Sequence, residues 1–412
     1  QQQTEAVTAP DDCPVLVLAG PGSGKTRTIA YRVCWLVHNL GYDPHSLCIT
    51  TYTRKAAGEL HDRLRPLLPN HNRLHVGTIH ALGLGLLRQT GDRRPLLTEY
   101  ALKRIVEDTL DEMMPSLSPR VRMATQGIGW RWLWSWVEAA RAAGVIADPV
   151  TAGLWFHHAL AAQGAGVNVV EALRGWLGLC YQRVSGGITL SGCRTYGDMV
   201  TDALRLVREG ANIGADFQYM LVDELQDASE PQLLLLESLA GNGKRLYGVG
   251  DQDQTLYAFR GASPGAVSRF LDRHQDTLIY RLETNYRADR VIVETARELI
   301  SHSDADSRLQ KRIAPHNDAG PGVPVTLKGF DTGEEEADWV CDQVAGLIAD
   351  GVAPEQVFIV YRTNAQSQPF EQGLMDRGIP YTVSGGLSFW ERKPVKDLLA
   401  YYRVSNTRGL NV

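Results

Sequence analysis

The chain has 412 residues, 44% of them hydrophobic and 22% charged, with a formal net charge of −5. That length exceeds a single hydrophobic core and predicts roughly two to four domains of ordinary globular composition. No apolar run approaches the ~18 residues of a membrane span, and mild acidity gives no bulk support for nucleic-acid binding, although local patches decide that question.

Taken in chain order, the first element is the apolar run Val15-Leu16-Val17-Leu18, followed by Ala19-Gly20-Pro21-Gly22-Ser23-Gly24-Lys25-Thr26. A strand that feeds a Gly-rich turn and opens a helix is the context of a phosphate-binding loop. Glycines let backbone N–H groups crowd around phosphate oxygens, Lys25 supplies a charge for the β- and γ-phosphates, and Thr26 offers a hydroxyl to Mg²⁺. The following helix, through Ile29, Val33 and Leu36, aims its positive N-terminus at the anion. One departure is visible, since the strict pattern wants Gly where Ala19 stands. Further short apolar runs follow at Leu47–Ile49, Tyr219–Val222, Leu246–Val249 and Leu278–Leu282, separated by helix-period segments. This predicts a parallel sheet wrapped by helices, with chemistry at the carboxyl ends of the strands.

The stretch 91–211 breaks that alternation and reads as a helical insertion, with helices expected over Tyr100–Leu110, Trp130–Ala143 and Tyr196–Arg208. Trp130, Trp132, Trp134 and Trp136 form two i,i+4 pairs on different faces, the pattern of an aromatic helical core; base stacking is the lesser reading. A second α/β unit is expected over 287–412. In it, Val323–Leu327 reads as a strand with Pro324 near its start, Thr332-Gly-Glu-Glu335 as a capping box opening a helix over Ala337–Ile348, and Val357–Tyr361 as a buried strand.

A phosphate loop needs a partner that holds Mg²⁺ and activates water. Tyr219-Met-Leu-Val-Asp223-Glu224 is a strand ending in two carboxylates: Asp223 is placed to hold Mg²⁺ through water and Glu224 to act as general base. Ser229-Glu-Pro-Gln232 then caps the next helix, which keeps the loop short. Cys13, Cys34, Cys48, Cys180, Cys193 and Cys341 contain no C-x-x-C pair, which argues against structural zinc or an iron–sulfur cluster and fits a reducing, cytoplasmic setting. The start at Gln1 shows no basic-then-apolar leader, and the lack of an initiator Met reads as numbering that begins inside a longer gene product.

Asp223-Glu224-Leu225-Gln226-Asp227 resembles the D-E-x-Q-D signature of UvrD/Rep/PcrA-type superfamily 1 DNA helicases. The same family is resembled by Gln3–Val7, by Thr51-Tyr52-Thr53-Arg54-Lys55-Ala56-Ala57, by Gly77-Thr78-Ile79-His80, by Val249–Ala262, by Leu282–Arg287 and by Phe389–Leu399. The blocks occur in family order across nearly the whole chain. The resemblance implies a P-loop NTPase (RecA-like) α/β fold: a first motor domain over 1–90 and 212–286, a helical insertion over 91–211, and part of a second RecA-like α/β domain over 287–412. It implies ATP with Mg²⁺ as cofactors, single-stranded and partly duplex DNA as partner, no membrane, and 3′→5′ translocation.

By the same resemblance, Gln3 pairs with the adenine edge, Tyr286 stacks on its face, and Arg27 lies along the nucleotide beside residues Ala19 to Thr26. Gln254 senses the γ-phosphate and Arg287 reaches it as an arginine finger. Stacking suits a motor that does not read sequence, so Tyr52, Tyr257 and Phe259 are candidates for base contacts, with Arg260, Thr78 and His80 on bases or backbone and Asn364 as a further contact. His80 reads equally as a hydrogen-bonded structural histidine, and Tyr52 also admits a core reading. Motifs that follow Phe389–Leu399 in the family do not follow here, so the chain is expected to be a fragment. The alternatives to a helicase are the motor part of a RecB- or AdnAB-like helicase–nuclease and a nucleotide-binding module without turnover.

Overall fold

A computed structural model describes residues 1–117, 129–162, 167–255, 265–302, 309–316, 322, 324–384, 395 and 398–399. The described chain divides into two compact units, Gln1–Pro324 and Val325–Val412.

The first unit is built on a parallel sheet of β1 (Val15–Ala19), β2 (Leu47–Thr51), β3 (His75–Thr78), β4 (Tyr219–Val222), β5 (Leu246–Gly250) and β6 (Leu278–Leu282), in the order β3-β2-β4-β5-β1-β6. The register pairs Val15 with Tyr247 and Leu278, and Leu47 with Tyr219. The four inner strands are buried at every residue, which is why they read as unbroken apolar runs: both faces are covered. Along β1 the side chains divide between two cores, Leu16 and Leu18 to one face and Val15, Val17 and Ala19 to the other. The first face is covered by α4 (Ile79–Gln89), α9 (Tyr196–Arg208), α10 (Glu230–Leu239) and α11 (Ala266–Arg273). The second is covered by α1 (Gln2–Val7), α2 (Lys25–His38) and α3 (Arg54–Leu64).

β3 has no apolar signature because its four residues are all half-buried at the sheet edge, so periodicity gave no strand there. The helices α5 (Glu99–Met113), α6 (Trp130–Ala142), α7 (Pro149–Ala162) and α8 (Val167–Leu190) close over a core of their own. Trp136 is buried in it, with Trp130, Trp132 and Trp134 packed around its margin and the Trp132 and Trp136 rings 6.0 Å apart. α9 lies inside the span expected for the insertion, yet its Val200, Ala203 and Leu204 belong to the core beneath the sheet. A capping box opens it, with Asp198 accepting from the Thr195 N–H at 2.7 Å.

Residues 287–324, expected with the second domain, fall in the first unit. The reason is a short parallel pairing of β7 (Thr284–Asn285) with β8 (Ala314–Pro315), which returns the chain to the end of β6 after α12 (Arg290–Ser301).

In the second unit α13 (Gly333–Ala349) packs on α14 (Ser367–Asp376) around Cys341, Val344 and Leu374. Thr332 caps α13 by accepting from the Glu335 N–H at 3.2 Å. The two strands expected in this unit do not form among the described residues. Val325 and Leu327 are exposed, as are Phe358 and Val360, while Val357 and Ile359 lean on the helices. No described strand offers either segment a ladder partner, and Pro324 lacks an N–H to donate.

Candidate functional site

The carboxyl edge of the sheet brings three segments together: the turn between β1 and α2, the residues after β4, and the residues after β5. Ala19 completes β1 in extended, fully buried backbone, so the first motif position has no need of glycine. Left-handed backbone is required further into the loop, at Gly22 (φ +67°) and Gly24 (φ +89°). A side chain at either would also collide: a Cβ on Gly22 would stand 2.8 Å from Arg287 Cβ and Asn285 Oδ1, and one on Gly24 would stand 2.6 Å from Gln3 Nε2. Ser23 Oγ donates to Gly20 O at 2.7 Å and tightens the turn. Pro21 is exposed at its tip. Lys25 and Thr26 open α2, whose first-turn N–H groups have no intrahelical acceptor.

Lys25 Nζ donates to Glu224 Oε2 at 2.9 Å and lies 3.5 Å from Gln254 Oε1. Glu224 is aimed there by strained backbone: its φ is +53°, a left-handed value that costs a non-glycine residue roughly 1 kcal/mol. Gln226 Nε2 donates to the same Glu224 oxygen at 2.8 Å, and Gln226 Oε1 accepts from the Asp251 N–H at 2.9 Å. Gln254 Nε2 in turn donates to Asp251 Oδ2 at 2.6 Å. The two acidic segments are therefore cross-wired through Gln254, expected to sense the γ-phosphate, and through Gln226, for which the sequence offered no role.

Asp223 is buried at the end of β4 and accepts from the Glu224 N–H at 3.1 Å. Burial, then the neighbouring Glu224 charge, push its carboxyl up to about 6, against the lowering influence of Lys25. A buried carboxylate held this high gains from a cation, so the residue fits a Mg²⁺ ligand, with Thr26 offering its hydroxyl from α2. The raised value has a consequence for stability. The folded chain holds this proton more tightly than the unfolded chain between the ordinary 3.8 and about 6, so the favourable contribution is complete below that window and lost as pH rises through it. Asp223→Asn is expected to stabilise the nucleotide-free chain at pH 7.5 by about 1–3 kcal/mol and to flatten the pH dependence across that window. Thermal melts at pH 4.5 and 7.5 check this; an Asn variant less stable than wild type at pH 7.5 contradicts it.

Gln3 sits beside the loop, its Nε2 donating to Ser23 O at 2.8 Å. α1 is held there by Arg32, fully buried, which donates to Val7 O and Pro10 O at 2.9 Å each and to the Tyr219 hydroxyl at 2.8 Å. Across the loop, Asn285 donates to Pro21 O at 2.8 Å, accepts from the Arg287 N–H at 2.8 Å, and the Tyr286 N–H donates to Gly22 O at 3.0 Å. Tyr286 and Arg287 are thus delivered to the loop with their side chains exposed, the Tyr286 ring 4.6 Å from that of His316. Arg27 lies over the Tyr31 ring at 5.5 Å. Gln2, Asn285, Lys311 and His316 join this neighbourhood without a sequence signal for a role. Asn285 lies inside the block Leu282–Arg287 and Gln2 adjoins the block Gln3–Val7, whereas Lys311 and His316 lie in no such block.

Of the DNA candidates, Tyr52, Thr78 and His80 stand farther along the same edge. Tyr52 follows β2, and Thr78 ends β3, where its hydroxyl caps α4 by accepting from the Ala81 N–H at 3.2 Å. His80 is half-buried, its ring edge-on to Tyr196 at 6.2 Å, and burial holds its pKa below the ordinary histidine value. Tyr257, Phe259 and Arg260 lie outside the described residues. Asn364 opens a short 3-10 turn in the second unit. Among the described residues no helix is long and apolar enough to cross a membrane.

Comparison with known proteins agrees with this arrangement. The UvrD/REP helicase N-terminal domain matches residues 1–125 and 174–275, and the UvrD-like helicase C-terminal domain matches residues 280–409. The chain is 32% identical over 413 residues to DNA helicase II of Escherichia coli and to that of Salmonella typhimurium, covering 99% of this chain and 54% of each of those proteins. It is 33% identical over 425 residues to ATP-dependent DNA helicase UvrD2 of Mycobacterium tuberculosis, covering 98% of this chain and 58% of that protein. The chain spans about half the length of the curated relatives it matches. With both domain models matched in order, and with loop, carboxylates and glutamine gathered at one sheet edge, the chain belongs to the UvrD/REP helicase family.

Proposed function

We propose that this chain is the ATP-driven motor of a DNA helicase that translocates 3′→5′ along single-stranded DNA, with duplex unwinding as its outcome. The observation that carries the reading is the contact of Lys25 with both Glu224 and Gln254, since it joins a phosphate-binding lysine, a candidate base and a candidate γ-phosphate sensor in one cluster.

The loop from Ala19 to Thr26 would take the triphosphate on its backbone N–H groups, with Gln3 at the base edge and Tyr286 on the base face. Lys25 would leave Glu224 for phosphate oxygens, which frees Glu224 to accept a proton from the attacking water. Asp223 and Thr26 would hold Mg²⁺, which when bound neutralises charge on the β- and γ-phosphates. Arg287 would add positive charge from the far side of the loop, where Asn285 fixes its backbone. Gln254 connects this chemistry to the residues that follow it in sequence, Tyr257, Phe259 and Arg260, proposed to contact DNA together with Tyr52, Thr78 and His80. DNA repair or replication is the setting in which such a motor would act.

The reading predicts that a fluorescent single-stranded oligonucleotide binds the chain with an affinity that changes when Mg²⁺ and a non-hydrolysable ATP analogue are added. Binding should also fall steeply with salt, by about 10-fold or more between 50 and 200 mM, because phosphates are contacted. Anisotropy titrations measure both. Affinity that ignores the nucleotide would instead mark a binding module without motor coupling.

A further inference from the structure

Lys311 belongs to the nucleotide site's surroundings, and no quoted motif accounts for it. Its side chain is 4% exposed and its Nζ reaches the fully buried Asp251 Oδ1 at 2.5 Å while also bridging to Asp253. Burial opposes its charge, yet the two carboxylates outweigh burial and hold its pKa above the ordinary lysine value. Asp251 uses its other oxygen, Oδ2, to accept from Gln254 Nε2 at 2.6 Å. With the amide nitrogen of Gln254 committed there, its carbonyl oxygen is the atom that faces Lys25, 3.5 Å away.

The backbone that carries Lys311 is registered closely on the sheet. Gln310 O accepts from Arg281 Nε at 3.0 Å, the Arg312 N–H donates to Glu283 Oε1 at 2.7 Å, and the Ala314 and His316 N–H groups donate to Glu283 O and Asn285 O at 2.7 and 2.8 Å. The same segment presses Ile313 against Gly20, where an added Cβ would meet Ile313 Cδ1, and sets His316 beside Tyr286. A lysine held on so short and well-tethered a strap presents its charge at one place. Removing it would leave the Asp251 carboxylate buried without its cation, a state that relaxes by reorienting the carboxylate or drawing in water. Either change releases the Gln254 amide, which could then turn its nitrogen toward Lys25.

We infer that Lys311 is a positioning residue for recognition of the terminal phosphate: it fixes Asp251, and Asp251 fixes which face of the Gln254 amide meets the nucleotide. The inference rests on the proposed role of Gln254 as γ-phosphate sensor. It separates from a merely structural role because it concerns discrimination between triphosphate and diphosphate and leaves general nucleotide affinity alone.

The test compares this chain with its Lys311→Met and Lys311→Arg variants, titrating each with Mg²⁺–ADP and with Mg²⁺ and a non-hydrolysable ATP analogue, beside a thermal melt. The expected result is that Lys311→Met lowers the preference for the triphosphate by about fivefold or more, as loss of one good hydrogen bond would, while ADP affinity stays within about twofold. Lys311→Arg should restore much of the preference. Should Lys311→Met not fold, Lys311→Gln is measured in its place with the same expectation. An unchanged preference, or equal loss of both ligands, overturns the inference while leaving the nucleotide site intact. A wild type that binds both nucleotides equally overturns the sensor role and the inference together, and a wild type that binds neither overturns the functional reading beneath them.

Discussion

Glu224→Gln is expected to bind ATP at least as tightly as wild type and to hydrolyse it about 10²–10⁴-fold more slowly, the range lost when a positioned general base is removed. The binding half of that expectation comes from the geometry. Glu224 now holds Lys25 at 2.9 Å, so the carboxylate competes with phosphate oxygens for the same ammonium group. A neutral glutamine competes less well and can still accept from Gln226 Nε2. The strained φ of +53° at this position is retained in the variant, because it belongs to the backbone of the turn. Single-turnover hydrolysis and an equilibrium binding titration on the same preparation check both halves. Near-normal turnover would remove Glu224 from the role of base.

Lys25→Ala should act in the opposite sense. Two or more charge-assisted contacts to phosphate are lost, which at about 1.5–3 kcal/mol for a hydrogen bond to a charged group weakens nucleotide binding by roughly 10²-fold or more. A second effect adds to the first. Lys25 lowers the pKa of the buried Asp223, so its removal leaves Asp223 and Glu224 facing each other without a cation and makes Asp223 a poorer Mg²⁺ ligand near neutral pH. The protein should still fold, since the cores on both faces of the sheet are built from other residues. Thermal melts with and without Mg²⁺–ATP report this: wild type should gain stability from the nucleotide and Lys25→Ala should gain almost none. A variant that gains as much as wild type would contradict the assignment of the loop.

The parts of this protein that were legible in its sequence are those whose physics is local. β1, β2, β4 and β5 appear as apolar runs because sheet neighbours and helices cover them, β6 at the edge shows its run Leu278–Leu282 although only Leu282 is buried, and α2 follows directly from the loop that opens it. The helix over Tyr196–Arg208 is bounded by its own capping box and a strongly one-sided apolar pattern. β3 was hidden because His75, Gly77 and Thr78, half-buried at the edge, leave Val76 as its one apolar residue and give no run. The segments at Val325–Leu327 and Val357–Tyr361 mislead in the other direction: β-branched and aromatic residues favour extended backbone, but a strand is a property of a pair, and no described residue pairs with them.

The candidate site shows the same division. Lys25, Asp223 and Glu224 announce themselves because the chemistry of a phosphate site demands those residue types at the ends of apolar strands. Asn285, Gln226 and Lys311 do their positioning through contacts across 264, 25 and 60 residues of chain, to Pro21 and, for the latter two, to Asp251, and no local pattern encodes such pairings. The same reasoning explains the division of the chain. The second unit was expected to begin at 287, whereas the ladder between β7 and β8 and the Lys311 ion pairs hold the described residues after α12 in the first unit.

The central claim is that this cluster hydrolyses ATP in the service of movement along DNA. Steady-state ATP hydrolysis by the chain with Mg²⁺, measured with and without single-stranded DNA, tests it most directly. The account predicts slow turnover alone and stimulation of about 10-fold or more by the strand, abolished in Glu224→Gln. Nucleotide binding without turnover, unchanged by single-stranded DNA, would contradict it.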